Sequence, residues 1–225
     1  MKKYLAIFLA LVIVICCCGC FSGGSGSTDN VRGEISSNNY PAAPTEAAPE
    51  FSFGSASGNT YRNDFLGLSC SLPSDWTFYT DAQILEMNNL VGDVLDEEAA
   101  RKMQNATIIY DMMASNATGN SMNVNLEKFT ALQMLTLNIQ EVLESQIAMI
   151  ESSYNTMNYT DVTVQYQKVT VDGKQYDALV IDANLQGTSF QCICFAFVKG
   201  NYMANVSVSS FTGNCNEILS CFSID

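Results

Sequence analysis

The apolar positions of this chain follow three regimes. Tyr4 to Cys18 is one unbroken apolar run without a charge, preceded by Lys2 and Lys3. Residues 21–60 show no apolar period at all. From Tyr61 onward a period near 3.6, the mark of amphipathic helices, alternates with a period of two, the mark of half-buried strands.

Phe65–Leu72 reads as a first strand with Gly67 at its centre, closed by the turn Pro73-Ser74-Asp75-Trp76. Thr80 and Gln83 form a capping box. The helix they open has Ile84, Met87, Val91 and Val94 or Leu95 on one face, with Gly92-Asp93 as a break. Asp96-Glu97-Glu98 puts acid at the start of a second helix and Arg101-Lys102 puts base at its end, the order the helix dipole favours. Thr107–Met113 and Met122–Leu126 form a hairpin across Asn116–Asn120, with Asn123, Asn125 and Glu127 on the solvent side. A second capping box, Thr130 with Gln133, opens the longest predicted helix, to about Tyr154. Its core stripe is Leu132, Leu135, Ile139, Leu143, Ile147, Ile150 and Tyr154.

From Asp161 the period is two. Val162–Tyr166, Tyr176–Ala183, Phe190–Val198 and Tyr202–Phe211 form a meander turned at Asp172-Gly173, Gln186-Gly187 and Lys199-Gly200-Asn201. Val162–Tyr166 and Tyr202–Val208 alternate, whereas Phe190–Val198 is apolar on both faces. It is therefore expected to be a central strand covered above and below, with Phe195 on one face and Cys194 on the other. Asn214 with Glu217 opens a short last helix that turns Cys215, Ile218, Leu219 and Phe222 inward. The expected fold class is α+β, a three-layer α/β/α sandwich around a mainly antiparallel sheet.

These elements, in this order, resemble the PsbP-like fold, shared by the extrinsic photosystem subunit, Mog-type Ran-binding proteins and many bacterial lipoproteins. The resemblance covers residues 61–225 and rests on the opening Leu66-Gly67-Leu68 and Leu72-Pro73-Ser74-Asp75-Trp76, followed by helix, hairpin, long helix, meander and terminal helix. It implies the sandwich. Members bind unrelated partners, so it carries over no functional residue.

The run Tyr4–Cys18 is short for a membrane span, which needs about 20 apolar residues, and has the length of a signal-peptide core. It ends in Cys18-Gly19-Cys20. A small residue directly before a cysteine resembles the lipobox of bacterial lipoprotein precursors, although Cys17 and Cys18 stand where Leu and then Ala, Ser or Thr are usual. The resemblance implies cleavage before Cys20, acylation of Cys20, and a protein held on the extracytoplasmic face of a cell membrane of the Gram-positive type. Two acyl chains anchor stably where one does not. An uncleaved, palmitoylated anchor is the alternative. The expected organisation is a signal peptide over 1–19, a disordered Gly/Ser/Pro-rich tether over 20–60, and a globular domain over 61–225. Pro41, Pro44 and Pro49 fall in the tether, leaving only Pro73 of the chain's 4 prolines for the domain.

Composition narrows the function by exclusion. The formal charge is −13, and loss of residues 1–19, which hold Lys2, Lys3 and no acid, makes it −15. Such a chain is a poor partner for nucleic acid or an anionic bilayer. With 0 histidines, the commonest general base and the commonest metal ligand are both missing. Cys70, Cys192, Cys194, Cys215 and Cys221 follow the junction, an odd number and without zinc-knuckle spacing. They are expected to act as small hydrophobes, with one disulfide through Cys215 or Cys221 as the alternative. No nucleophile elbow, phosphate loop or dinucleotide fingerprint occurs. Carboxylate pairs are too common in so acidic a chain to single one out. Asn105, Asn116, Asn158 and Asn205 head glycosylation sequons.

The sequence thus predicts a membrane-tethered binding or interaction module, not an enzyme, with no metal or cofactor. Its partners would be the membrane through the lipid and an unidentified protein or small molecule, and not nucleic acid. An assembly or structural factor for an envelope complex is the alternative, and an enzyme using carboxylates a third reading. Cys20 is the one residue assigned a role. No catalytic, metal-binding or ligand-binding residue stands out.

Overall fold

The computed structural model describes residues 51–103, 106–211 and 214–225, so the signal segment, Cys20 and residues 20–50 of the tether lie outside it. In chain order the strands are β1 Ser55–Ser57, β2 Thr60–Asn63, β3 Leu68–Ser71, β4 Trp76–Phe78, β5 Ile108–Asn116, β6 Ser121–Lys128, β7 Tyr159–Val171, β8 Lys174–Leu185, β9 Thr188–Lys199, β10 Tyr202–Ser210 and β11 Phe222–Ile224. The helices are α1 Asp81–Met87, α2 Glu97–Lys102, α3 Ala131–Met134, α4 Ile139–Glu144, α5 Ile147–Thr156 and α6 Cys215–Leu219.

The class is α+β with antiparallel sheets, as expected. A seven-stranded sheet runs β4-β5-β6-β10-β9-β8-β7, and a four-stranded sheet runs β1-β2-β3-β11. The large sheet is covered on both faces. One face, carrying Ile109, Val124, Val206 and Phe195, packs on Leu68, Cys70 and Phe222 of the small sheet and on Leu219 of α6. On the other face α4 and α5 lay Leu143, Ile150 and Tyr154 over Leu179, Ile181, Cys192 and Cys194. The first layer is thus mainly a second sheet where helices were expected. Residues 55–71 and 222–224 supply it together, because β11 pairs with β3 through Phe222 opposite Cys70.

The doubly apolar segment Phe190–Val198 lies in β9, flanked by β10 and β8, with Phe195 fully buried and Cys194 2% exposed. The first turn of the meander, between β7 and β8, forms as expected. Asp172 and Gly173 both take positive φ, 49° and 74°, the left-handed pair that a two-residue hairpin turn requires. β10 differs from its sequence pattern. All nine of its residues are buried, because it sits mid-sheet between β6 and β9 with cover on each side.

The helix expected over 130–154 is three short ones. The capping box forms, with Thr130 N donating to Gln133 Oε1 at 2.7 Å and Gln133 N to Thr130 Oγ1 at 3.3 Å, yet α3 lasts a single turn. Thr136 Oγ1 then donates to the Gln133 carbonyl, Asn138 Oδ1 accepts from Glu141 N to start α4, and Ser145 Oγ donates to the Val142 carbonyl to end it. These short polar side chains compete with the helix for its own backbone groups. Leu132 and Leu135 are consequently exposed, at 75% and 82%, while Leu143, Ile150 and Tyr154 are buried. The helix α1 stops early for a related reason. Asn88 Nδ2 donates to the Tyr110 carbonyl at 2.6 Å, and Asn88 Oδ1 accepts from Tyr110 N at 2.9 Å. That docks the helix end on β5 and leaves Val91 and Val94, expected on its inner face, in solvent. Asp96, read only as acid at the helix start, caps α2 through Ala99 N, while Asn214, expected to cap α6, precedes it without a side-chain cap.

The packed region reaches back to Phe51, into the segment read from sequence as tether. Phe51 and Phe53 pack on the core, and Ser55–Ser57 pair with Thr60–Arg62. A buried carboxylate fastens this segment. A bulge between Tyr110 and Met112 makes Asp111 an extra residue in β5 and aims it at the small sheet. Its oxygens accept from Gly54 N at 2.9 Å, from Asn63 Nδ2 at 2.6 Å and from Tyr61 Oη. Burial pushes the Asp111 carboxyl up and these three donors pull it back. A Cβ on Gly54 would overlap the Tyr61 ring, so glycine is required where the segment crosses it.

Candidate functional site

The face of the large sheet that α4 and α5 cover has two halves of different chemistry. Over β7, β8 and β9 it is apolar: Val164, Leu179, Ile181, Cys192 and Cys194 meet the helices. Over β10 and β6 it becomes polar. Antiparallel register sets Ser121 opposite Ser209, Asn123 opposite Ser207, Asn125 opposite Asn205, and Glu127 opposite Met203. The period of two that puts Met122, Val124 and Leu126 on the apolar core also puts Asn123, Asn125 and Glu127 on this row.

The row is dry. Asn125, Asn205 and Ser207 are 0% exposed, and Glu127 is 6% exposed. Ser121 and Ser209 share a hydroxyl hydrogen bond at 2.8 Å. Asn205 Nδ2 donates to Asn125 Oδ1 at 3.4 Å, and Asn125 Nδ2 to Asn123 Oδ1 at 3.2 Å. The chain of bonds stops there. Asn205 Oδ1 accepts nothing, and Ser207 Oγ has no nitrogen or oxygen partner. The Cys194 thiol stands opposite Ser207 across the ladder. Burial pushes that thiol up to about 11, with the Ser207 hydroxyl drawing it down in part, so it stays protonated and unreactive. Burial alone pushes Glu127 up from 4.5 to about 7. At neutral pH its carboxyl is therefore divided between an acceptor-only anion and an acid that also donates. The row lacks a basic side chain, so it suits a neutral polar or a cationic group better than an anion.

Sequence reasoning missed this row. Alternation assigned Asn123, Asn125 and Glu127 to solvent, and Asn205 appeared only as the head of a sequon. Its complete burial removes Asn205 as a glycan acceptor in the folded protein. The signal that could have found the row was the second polar stripe, Asn205-Ser207-Ser209, in a strand flanked by a fully apolar one.

The remaining assignments place as follows. Cys20 lies outside the described residues. Cys70, Cys192, Cys194, Cys215 and Cys221 form no disulfide with one another, and all but Cys221 are buried, the small-hydrophobe role expected of them. Trp76 is half-buried on the edge strand β4. An open recess of about 270 Å³ beside α2 is lined by Leu85, Leu90, Val94, Asp96 and Lys102 among others. Three of its polar groups are already engaged, Asp96 as the helix cap and Lys102 with Glu98 at 2.9 Å. Among the described residues no helix is long and apolar enough to cross a membrane.

No family model matches the chain, and no curated protein matches it. Two solved structures are similar in outline. A protein from Bacteroides thetaiotaomicron VPI-5482 aligns over 75% of this chain with a TM-score of 0.38 and 12% identity, and this chain spans about half, 48%, of that one. LpqN, involved in cell envelope biogenesis of Mycobacterium tuberculosis, aligns over 63% of this chain and 68% of its own, with a TM-score of 0.32 and 10% identity. At these values neither likeness carries an argument about the role of this chain.

Proposed function

We propose that this protein is a binding module of PsbP-like type, held at the extracytoplasmic face of a membrane through a lipid on Cys20, and that the buried row on β6 and β10 is its ligand site. The observation behind the site is the buried Asn205 Oδ1, which accepts nothing, beside Ser207 Oγ, which meets only the Cys194 thiol. A buried polar atom without a partner costs about 1–3 kcal/mol, and natural interiors rarely leave one unmet. A hydroxyl- or amide-bearing small molecule would satisfy both, with the Glu127 carboxyl beside them as donor or acceptor. Because both atoms are buried, loading requires this face to open locally, and exchange would be slow.

The experiment is native mass spectrometry on full-length protein extracted from its own membranes, paired with stability measurements. Wild type should carry an added mass. Ser207→Ala, which leaves the Asn205–Asn125 hydrogen bond in place, should lose that mass and, freed of an unmet oxygen, unfold at a higher denaturant concentration than stripped wild type. A wild-type mass equal to that of the lipidated chain alone, with no gain in stability for the variant, would mean that internal water satisfies the pair.

A further inference from the structure

The two sheets end in four edge strands. Three of them, β1, β4 and β11, are 3 residues long. The fourth, β7, has 13 residues and pairs with β8 alone among the described residues. Every second residue along its free side turns a backbone N–H and C=O outward with no strand to receive them. Natural edges of that length are blunted by charge, proline or a bulge. The β7 strand is blunted only toward its ends. At one, the register slips between Thr160 and Thr163, and Asp161 takes a φ of 53°. Toward the other, Lys168 is held by Asp177 at 2.7 Å. Between them Thr163–Gln167 is continuous, uncharged and free of Pro and Gly, with Thr163, Gln165 and Gln167 exposed.

We propose that β7 pairs antiparallel with β7 of a second copy of this chain, joining two seven-stranded sheets across a two-fold axis at Gln165. Gln165 is the middle residue of β7, so this register overlaps the two strands to the greatest extent. An axis perpendicular to the sheet keeps like faces together and sets residues equally distant from it opposite each other. Thr163 then faces Gln167 of the partner subunit, Val164 faces the partner's Tyr166, and Gln165 faces the partner's Gln165. Asp161 and Val162 fall in the irregular stretch between Thr160 and Thr163, so the regular pairing runs over Thr163–Gln167 and opposes no charges. Two copies as acidic as this repel one another at a distance, and the β7 edge is a place where that repulsion is locally small. Salt screens the long-range term and leaves the backbone pairing intact, so association should strengthen as salt rises.

Sedimentation equilibrium of the full chain in density-matched detergent tests this at low and high salt. Wild type should show a monomer–dimer equilibrium that moves toward dimer with salt. Thr163→Lys with Gln167→Lys sets lysine against lysine twice across the axis and should weaken the dimer about tenfold. Thr163→Lys with Gln167→Glu sets lysine against glutamate twice and should hold the dimer at least as firmly as wild type. Both positions are exposed, so the two variants differ in pairing and not in packing. Wild type that stays monomeric at every concentration and salt, or two double variants that associate equally, would overturn the proposal.

Discussion

Glu127 gives the most direct test of the polar row, because its chemistry is set by burial alone. It lies on β6 between Ile108 of β5 and Met203 of β10, and no ion-pair or hydrogen-bond partner meets it among the described residues. Its carboxyl is pushed from 4.5 to about 7. The folded state therefore holds this proton where the unfolded chain has already released it. The stability that goes with the proton is fully present below about pH 4.5 and is lost as pH rises through about 7. At about 1.36 kcal/mol for each pH unit between the two values, the loss is about 3 kcal/mol. Glu127→Gln keeps the shape and removes the charge. The variant should match wild type near pH 4.5 and exceed it by about 3 kcal/mol near pH 8. Urea titration followed by the fluorescence of Trp76, the one tryptophan of the chain, measures both proteins across that range. Asp172 and Asp177 work in the opposite sense. Hydrogen bonds from Ser223 and Lys168 respectively hold their carboxyls low, so what they contribute is lost only as pH falls through the acid range. The difference between variant and wild type isolates Glu127 from both. Parallel stability curves for the two proteins from acid to alkaline pH would show that Glu127 reaches water, and the row would then not be dry.

Two further outcomes are expected. Phe195 is fully buried and its ring meets those of Tyr176, Phe197 and Phe222, so Phe195→Ala should cost about 3–5 kcal/mol in denaturant unfolding; Leu135→Ala, at a leucine 82% exposed, should stay within about 0.5 kcal/mol of wild type, and equal costs at the two sites would contradict the layer assignment. Cys20→Ala should release the protein from the membrane fraction and change its mass by the loss of acyl chains, whereas an unchanged mass on an unchanged membrane would mean that the anchor lies elsewhere.

What the sequence made legible was local. Capping boxes at Thr80 and Thr130, the turn at Asp172-Gly173 and the acid-to-base order of α2 are decided within a few residues, and the structure reproduces each. The doubly apolar part of β9 was legible because burial on both sides leaves residues 192–198 without a polar residue to mislead. Hydrophobic spacing over 130–154 was not enough, since Thr136, Asn138 and Ser145 hydrogen-bond the backbone locally and divide the helix. The role of Asp111 was hidden because a bulge, invisible in the pattern, turns it from its expected side toward Gly54 and Tyr61. Alternation in β6 and β10 correctly told which residues share a face. It could not tell whether the polar face is wet, because that depends on what the rest of the chain lays over it.

The difference between a polar face in water and a polar face in a dry layer is where function becomes readable in this fold. Three buried side-chain oxygens lack a nitrogen or oxygen partner among the described residues: Gln146 Oε1, Asn205 Oδ1 and Ser207 Oγ. Gln146 stands at the joint between α4 and α5, where a long side chain has several rotatable bonds and a short helix end can open to admit water. Asn205 and Ser207 have no such relief. They lie in β10, hydrogen-bonded along both edges, to β6 on one side and β9 on the other. Their side chains are short, and the backbone that carries them is fixed by two ladders. A stability cost held that rigidly, at two neighbouring positions of one face, is not relieved by local adjustment. Ser207→Ala removes an oxygen that no nitrogen or oxygen meets and leaves the Asn205–Asn125 bond intact, so it should stabilise the fold, and whatever the protein loses in exchange identifies what the row is for.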